Sequence, residues 1–397
     1  MVWRISPLYV IIYIMIYLDH AAATPVSEKV KASMEPFFSD YFFNPSAAYL
    51  PAKQVQKLYD EAKGKIAHIV GAKSPDLVIT SGATEATNLA FTCLEVGKKA
   101  LVLETEHQSV LETAKNFPHD FIRVDKTGLI NLEDLKSKLD DSVELISVSL
   151  ANNELGTIQP LAEIAEIIRE VRQNRLKRNE KTPLHLHSDA SQALNLIDIN
   201  VARLGVDLLT INAAKIYGPK GVGALYVGHG VKLRPITFGG GQENGLRSGT
   251  ENVPAVIGFA TAAEEAKLHL SSSRKKYEKL VEIFKTELKT SEIEPLFLGN
   301  KKHCLANFCT LSFPGLDAER LIYKLEAKEI YLSTGAACAA SKGKKSHVLR
   351  AIGLSDEEIA GSLRISLGIL NNEENIRAAA NALKLAIHEE LERKKSV

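Results

Sequence analysis

The chain places a lysine where an apolar run breaks. In residues 210–223, TINAAKIYGPKGVG, Lys215 follows the strand-like Leu208-Leu209-Thr210-Ile211 and precedes a turn rich in glycine and proline. Just past a strand end is the rim where open α/β sheets hold ligands, and a partly desolvated lysine there can act as nucleophile or base. Read alone, Lys215 also fits an exposed loop lysine beside Lys220. Ser81-Gly82-Ala83-Thr84 leads from the strand-like 77–80 into helical text, so backbone N–H groups, a hydroxyl and a helix N-terminus could converge on a phosphate; a plain N-cap is the other reading. Asp189, after the alternating Leu184-His185-Leu186-His187, could pair with a protonated ring nitrogen or cap a following helix. His107, after the strand 100–103, could stack on a ring or move a proton, or be structural. Asn152 and Asn153 offer amides that can orient a substrate. Arg247, Ser248 and Thr250 in the glycine-rich 239–250 suit an anion or a flexible loop. Cys338 sits among small residues with lysines after it, a setting that favours thiolate, although small buried cysteines are often filler.

The elements that must position these groups are legible. Strands are expected at 77–80, 100–103, 143–150, 184–187 and 208–211, spaced by helical text at 54–70, 87–93 and from Pro160 onward, where Leu161, Ile164, Ile167 and Val171 share a face. Such alternation to about residue 228 predicts an α/β fold: a large domain with a mainly parallel sheet flanked by helices. Helical text over 255–289, interrupted at Ser271-Ser272-Ser273, reads as the passage out of it. Strands at 310–313 and 331–332, helices at 318–327 and 374–393, and capping-box spacing at Ser355 and Glu358 make a smaller α+β domain.

With 49 basic and 48 acidic side chains the net charge is +1, which invites neither nucleic acid nor an anionic membrane. The four cysteines (Cys93, Cys304, Cys309, Cys338) are too few and scattered for a disulfide framework or a close zinc pair, which fits a cytoplasmic protein without a metal. Residues 6–18 are apolar before Ala21-Ala22-Ala23 and imitate a signal peptide, but a membrane span needs about 20 apolar residues. Met15 reads as the natural start, with 1–14 an N-terminal extension.

Taken in order, YLDHAAATP, NPS, SGATEATNLA, EHQSV, ANNELGTIQP, HSDASQA, KIYGPKGVGALY, GGGQENGLRSGTEN, GAACAAS and SLRISLG resemble cysteine desulfurases of the NifS and IscS type, in the class V branch of fold-type I pyridoxal-phosphate enzymes. The resemblance covers Tyr17 to about Leu370. It implies a large pyridoxal-phosphate-binding domain over 29–265 and a small domain, over 15–28 and 266–397, that carries the catalytic cysteine. It further implies that Lys215 holds the cofactor covalently and later moves the proton at the substrate α-carbon. Asp189 would pair with the pyridinium nitrogen, Gln192 with the ring's phenolic oxygen and His107 with the ring face, while Ala83, Thr84, Asn212 and Thr250 would serve the cofactor, Thr250 in the neighbouring subunit of a homodimer. Asn153, Arg364 and Asn44 would hold the substrate L-cysteine. Cys338 would take its sulfur as a persulfide and pass it to an acceptor protein, such as an iron–sulfur scaffold or a tRNA-thiolation carrier.

Three places depart from the family pattern, the first being His20 where asparagine is common. Serine, a small residue and histidine usually precede the cofactor lysine, whereas here the residues are Asn212-Ala213-Ala214; and Ala47-Ala48-Tyr49 follows NPS in place of the usual histidine. Weaker cofactor retention is expected, since each lost charge-assisted contact costs about 1.5–3 kcal/mol. A selenocysteine lyase, a class V aminotransferase and a non-catalytic scaffold are the alternatives; an aminotransferase needs no nucleophilic thiol at Cys338.

Overall fold

The computed structural model describes residues 15–334 and 345–396. Cys338 and the 1–14 extension lie outside the described residues. The chain divides into two compact units: a larger one of residues 23–152 and 157–271, and a smaller one of the N-terminal residues to 22, residues 153–156 and those from 272 on.

Strand β1 (Ile16–Tyr17) belongs to the smaller unit. The larger unit carries β2 (Leu77–Thr80), β3 (Lys99–Leu103), β4 (His119–Ile122), β5 (Val143–Ser147), β6 (His185–Asp189), β7 (Leu208–Asn212) and β8 (Gly223–Val227) in one sheet of order β2-β8-β7-β6-β5-β3-β4. Only β8 runs against its neighbours. The sheet is therefore mainly parallel and its central strands are buried, as near-continuous aliphatic runs such as Ala100-Leu101-Val102-Leu103 require. Helix Ala83–Phe91 lies on a cluster that includes Val78, Leu89, Phe91, Val102, Leu145 and Leu208, so its first turn is held rigidly above the sheet edge.

Register aligns the ends that matter. Val102 pairs with Ser147, Ser147 with His187, Asp189 with Thr210, and Asn212 with Gly223. Gly223 also pairs with Thr80, so Thr80 and Asn212 flank one residue and stand about 10 Å apart, two strand spacings. Strand β5 ends three residues earlier than expected, yet the Val148 and Leu150 N–H groups still donate to the His187 and Asp189 carbonyls. The serine run does not interrupt the long helix: Val253–Leu288 is unbroken through Ser271-Ser272-Ser273. Serine costs an exposed helix only about 0.5 kcal/mol, less than ending it would. Nor does a helix follow Asp189, where residues 191–196 form turns.

In the smaller unit β10 (Phe308–Ser312) lies between β9 (Leu296–Leu298) and β12 (Ser362–Ser366), all antiparallel, while β11 (Ile330–Tyr331) pairs in parallel with β1. Helix Asp356–Ala360 starts with the expected Ser355/Glu358 capping box. Helices Ala318–Glu326 and Glu373–Lys395 are joined through the fully buried Glu390, which accepts from Arg320 and Arg393.

A Cβ on Gly223 would meet the Gly82 backbone and the Ile211 carbonyl oxygen, each at 2.8 Å. Gly223→Ala should therefore destabilise the chain by about 1–3 kcal/mol, read as a lower urea midpoint with an unchanged slope.

Candidate functional site

The C-terminal edge of the large sheet collects most of the sequence-predicted groups. Asp189 ends β6, and its Oδ1 accepts the Ser191 N–H at 2.8 Å, so it closes a tight turn and caps no helix. Gln192 follows in the same half-buried turn. Beside it, β7 ends at Asn212, whose Oδ1 accepts the Ala214 N–H at 2.8 Å and starts the short turn Ala213–Lys215. Lys215 is half-buried, one strand away from Asp189. The amide oxygen of Asn212 is committed to this turn, so any contact of Asn212 with an anion must run through its Nδ2.

Across β8 lies the uncapped end of helix Ala83–Phe91. Its N-cap is Gly82 at φ 151°, and no side chain accepts from the first turn. The plain N-cap reading of Ser81 and Thr84 therefore does not hold, and Thr84 is exposed. Glu85 accepts the Ser81 N–H at 2.5 Å and pairs with Arg247 at 3.0 Å. Burial alone would raise its pKa, but the bonds from Ser81 and Arg247 hold its carboxyl below the usual range. The glycine-rich 239–250 is not simply a flexible loop. Glu243, at φ 50°, accepts from Tyr59 (2.6 Å), Lys63 (2.7 Å) and the Ile79 N–H (2.8 Å), and its side chain is only 5 % exposed. Thr250 stays exposed beyond this anchor, as does Asn44, whose Oδ1 accepts the Ser46 N–H.

His107 caps helix Gln108–Ala114: its Nδ1 takes the Ser109 N–H at 3.1 Å and lies 2.8 Å from the Ser109 hydroxyl. A nitrogen that accepts a backbone N–H carries no proton, so the neutral ring is protonated at Nε2. The preceding Glu106, which the sequence did not single out, is fully buried and accepts the Ser149 N–H. Burial pushes its carboxyl up, the Ser149 bond pulls it back and the Asp189 charge adds to the rise, leaving it at about 8. Beneath Asp189, His187 bridges the Ser147 and Thr210 hydroxyls at 2.9 and 3.0 Å. Its burial outweighs the pull of Asp189 and lowers it to about 4, so the imidazole is neutral.

Asn153 and Arg364 lie in the smaller unit. Arg364, on β12, is 3 % exposed and donates to Asp19 Oδ1 at 2.6 Å and to the Asn153 carbonyl at 2.9 Å. Glu154 beside them is buried, which raises its pKa, and it accepts the hydroxyl of Ser346 at 2.6 Å. Ser346 in turn caps helix His347–Ala351. Burial pushes the thiols of Cys93 and Cys309 up to about 12 and that of Cys304 to about 11, so none of these three is a ready thiolate.

The aminotransferase class-V family model matches residues 16–378. The chain belongs to that family. It is 40 % identical to cysteine desulfurase IscS 1 of Archaeoglobus fulgidus over 91 % of this chain and 94 % of the relative. Among solved structures it is similar to a NifS-like protein (32 % identity, TM-score 0.86, 94 % of this chain and 100 % of that one). A second, SspA in complex with cysteine, matches at 32 % identity and TM-score 0.74 over 88 % and 98 % of the two chains. Within the class V family the chain is of the IscS and NifS type. The mainly parallel sheet flanked by helices is the fold of these relatives.

Glu106 gives a pH test. It ionises near pH 4.5 when unfolded and near 8 when folded, so between those values the folded chain keeps a proton that the unfolded chain has released. Stability from this group is therefore lost as pH rises through that window. In cofactor-free denaturation at a series of pH values, Glu106→Gln should gain steadily on the wild-type chain up to about pH 8 and then run parallel to it. A constant difference would refute the buried, protonated carboxyl.

Proposed function

We propose that the chain is a pyridoxal-phosphate-dependent cysteine desulfurase that converts L-cysteine to L-alanine and keeps the sulfur as a persulfide. The observation that carries the reading is the adjacency of Lys215 and Asp189 past neighbouring ends of β7 and β6, with the uncapped N-terminus of helix Ala83–Phe91 on the same edge. Lysine amine, carboxylate and bare N–H groups match the aldehyde, ring nitrogen and phosphate of pyridoxal phosphate, respectively. When bound, the cofactor supplies an electron sink that makes the bonds at the substrate α-carbon labile.

In this reading Lys215 holds the cofactor and moves the α-carbon proton. Asp189 keeps the ring nitrogen protonated, helped by the low-dielectric layer beneath it. His107 covers the ring, with its proton on Nε2, and Gln192 serves the phenolic oxygen. Ala83, Thr84 and Asn212 take the phosphate. Arg364, charge-balanced by Asp19 and oriented by the Asn153 carbonyl, takes the substrate carboxylate, with Asn44 and Asn153 as further substrate contacts. Cys338 attacks the substrate sulfur: an S–S bond forms, the C–S bond breaks, and the carbon is reprotonated to alanine. The high pKa of the other three thiols supports Cys338 as the acceptor.

The larger unit is read as the cofactor-binding domain and the smaller as the one whose chain includes Cys338. A homodimer in which Thr250 reaches the partner's phosphate is supported by its exposure and by the exposed Phe38, Phe42, Tyr49 and Leu50. The final acceptor is a sulfur-carrier or iron–sulfur scaffold protein, and the enzyme is placed in the cytoplasm, in keeping with its few unpaired thiols. Among the described residues no helix is long and apolar enough to cross a membrane.

Two outcomes are expected. With L-cysteine, pyridoxal phosphate and a reductant, the wild-type chain should release alanine and Cys338→Ala should not; equal release would replace this reading with a lyase. Ala214→His, restoring a phosphate donor beside Asn212, should tighten cofactor binding by about tenfold or more in an absorbance titration, whereas no change would mean that the lost histidine contact is compensated.

A further inference from the structure

The turn that carries Lys215 is closed from inside by local groups. Asn212 Oδ1 takes the Ala214 N–H, and the Ala213 carbonyl takes the N–H groups of Ile216 and Gly218, each at 3.1 Å. A Cβ at Gly218 would meet Ala213 at 2.9 Å, so the turn is as tight as the backbone allows. Tyr217, two residues after the lysine, sits at φ 65°, in the left-handed region that a bulky residue avoids. Such a conformation persists only where its surroundings over-determine it.

The surroundings are supplied by a residue 190 positions away. The Thr24 hydroxyl donates to the Ala214 carbonyl at 3.0 Å and accepts the Tyr217 N–H at 2.9 Å. Its own N–H donates to the same Ala214 carbonyl at 3.3 Å. One side chain thus grips the backbone on both sides of Lys215. Thr24 is itself pinned: it is 2 % exposed, its carbonyl accepts Lys220 Nζ at 2.5 Å, and the Ser27 N–H donates to the Tyr217 carbonyl at 3.0 Å. Ser27 caps helix Glu28–Met34 and donates its hydroxyl to Glu265 at 2.8 Å, which ties the bracket to two helices.

We propose that Thr24 is the positioning residue for Lys215: its hydroxyl, donor on one side of the lysine and acceptor on the other, holds the strained 214–217 backbone and so sets where the lysine amine stands. This rests on the reading that Lys215 holds pyridoxal phosphate. A methyl in place of the hydroxyl leaves the half-buried Tyr217 N–H without its Thr24 acceptor and removes one donor from Ala214, at nearly constant volume. The left-handed Tyr217 then relaxes, and the lysine amine moves with it.

The test compares the full-length wild-type chain with Thr24→Val, Thr24→Ser and Lys215→Ala. Backbone amide exchange over 213–218 is measured without cofactor, and the visible band of lysine-bound cofactor, with its pH midpoint, is measured after adding pyridoxal phosphate. For Thr24→Val the exchange should be about fivefold faster and confined to that segment, and the band should be weaker with a shifted midpoint. Thr24→Ser should behave as wild type. Should Thr24→Val not fold, Thr24→Ala against Thr24→Ser isolates the hydroxyl in the same way. Unchanged exchange and an unchanged band in the hydroxyl-free variants would overturn the proposal, as would impairment of Thr24→Ser equal to theirs. A wild-type chain with no more visible band than Lys215→Ala would instead overturn the cofactor reading, while the exchange measurement would still decide the bracket.

Discussion

Gly223 pairs on one side with Thr80 and on the other with Asn212, and the site depends on that double register. It inserts an antiparallel strand between two strands that point the same way, so the turn after β2 and the turn after β7 emerge at one edge. The separation, about two strand spacings, suits a ligand with a phosphate at one end and a lysine-reactive group at the other. Any side chain at 223 would strike the Gly82 backbone, and Gly82 must itself stay bare at the head of its helix. Gly223 thus lets the Gly82 backbone pack against its strand, and Gly82, at φ 151° with open space where a Cβ would stand, keeps the helix end uncovered.

The electrostatics under this edge follow from burial. Strands covered on both faces bring Glu106, His187 and Asp189 into a layer from which water is excluded. Such a layer does not hold two carboxylates and an imidazolium together; it neutralises what it can. His187 becomes a neutral bridge between two hydroxyls, and Glu106 keeps its proton until about pH 8. Asp189 stands at the strand end that tops this layer, where a cationic ring nitrogen would find its acid partner. In the smaller unit the same cost is met by pairing: Arg364 is buried against Asp19, an acid from the other end of the chain.

Much of this was legible in the residues. The parallel sheet, most of its strand positions, the Ser355 capping box and the edge location of Lys215, Asp189 and His107 follow from apolar periodicity and turn chemistry, and the structure has them there. The ordered motifs identified the family, and the family model agrees. Where the reading went astray, a local rule met a competitor outside the window: Ser271-Ser272-Ser273 stays helical because a packed helix continues on both sides of it in the chain, and Asp189 closes a turn because its oxygen finds the Ser191 N–H first.

What the sequence by itself determined is thus the alphabet of the site: a lysine after a strand, an acid after another, a glycine-headed helix and a cysteine among small residues. Each is written within a dozen residues, the range over which periodicity and turn propensity act. The tertiary structure alone decided the partners. Thr24 with Ala214 and Tyr217, Glu243 with Tyr59 and Lys63, and Asp19 with Arg364 are each more than 150 residues apart. A hydroxyl or carboxylate carries no mark of which distant donor it will meet, because hydrogen bonds are short and register-dependent, and the meeting exists only once the strands have paired.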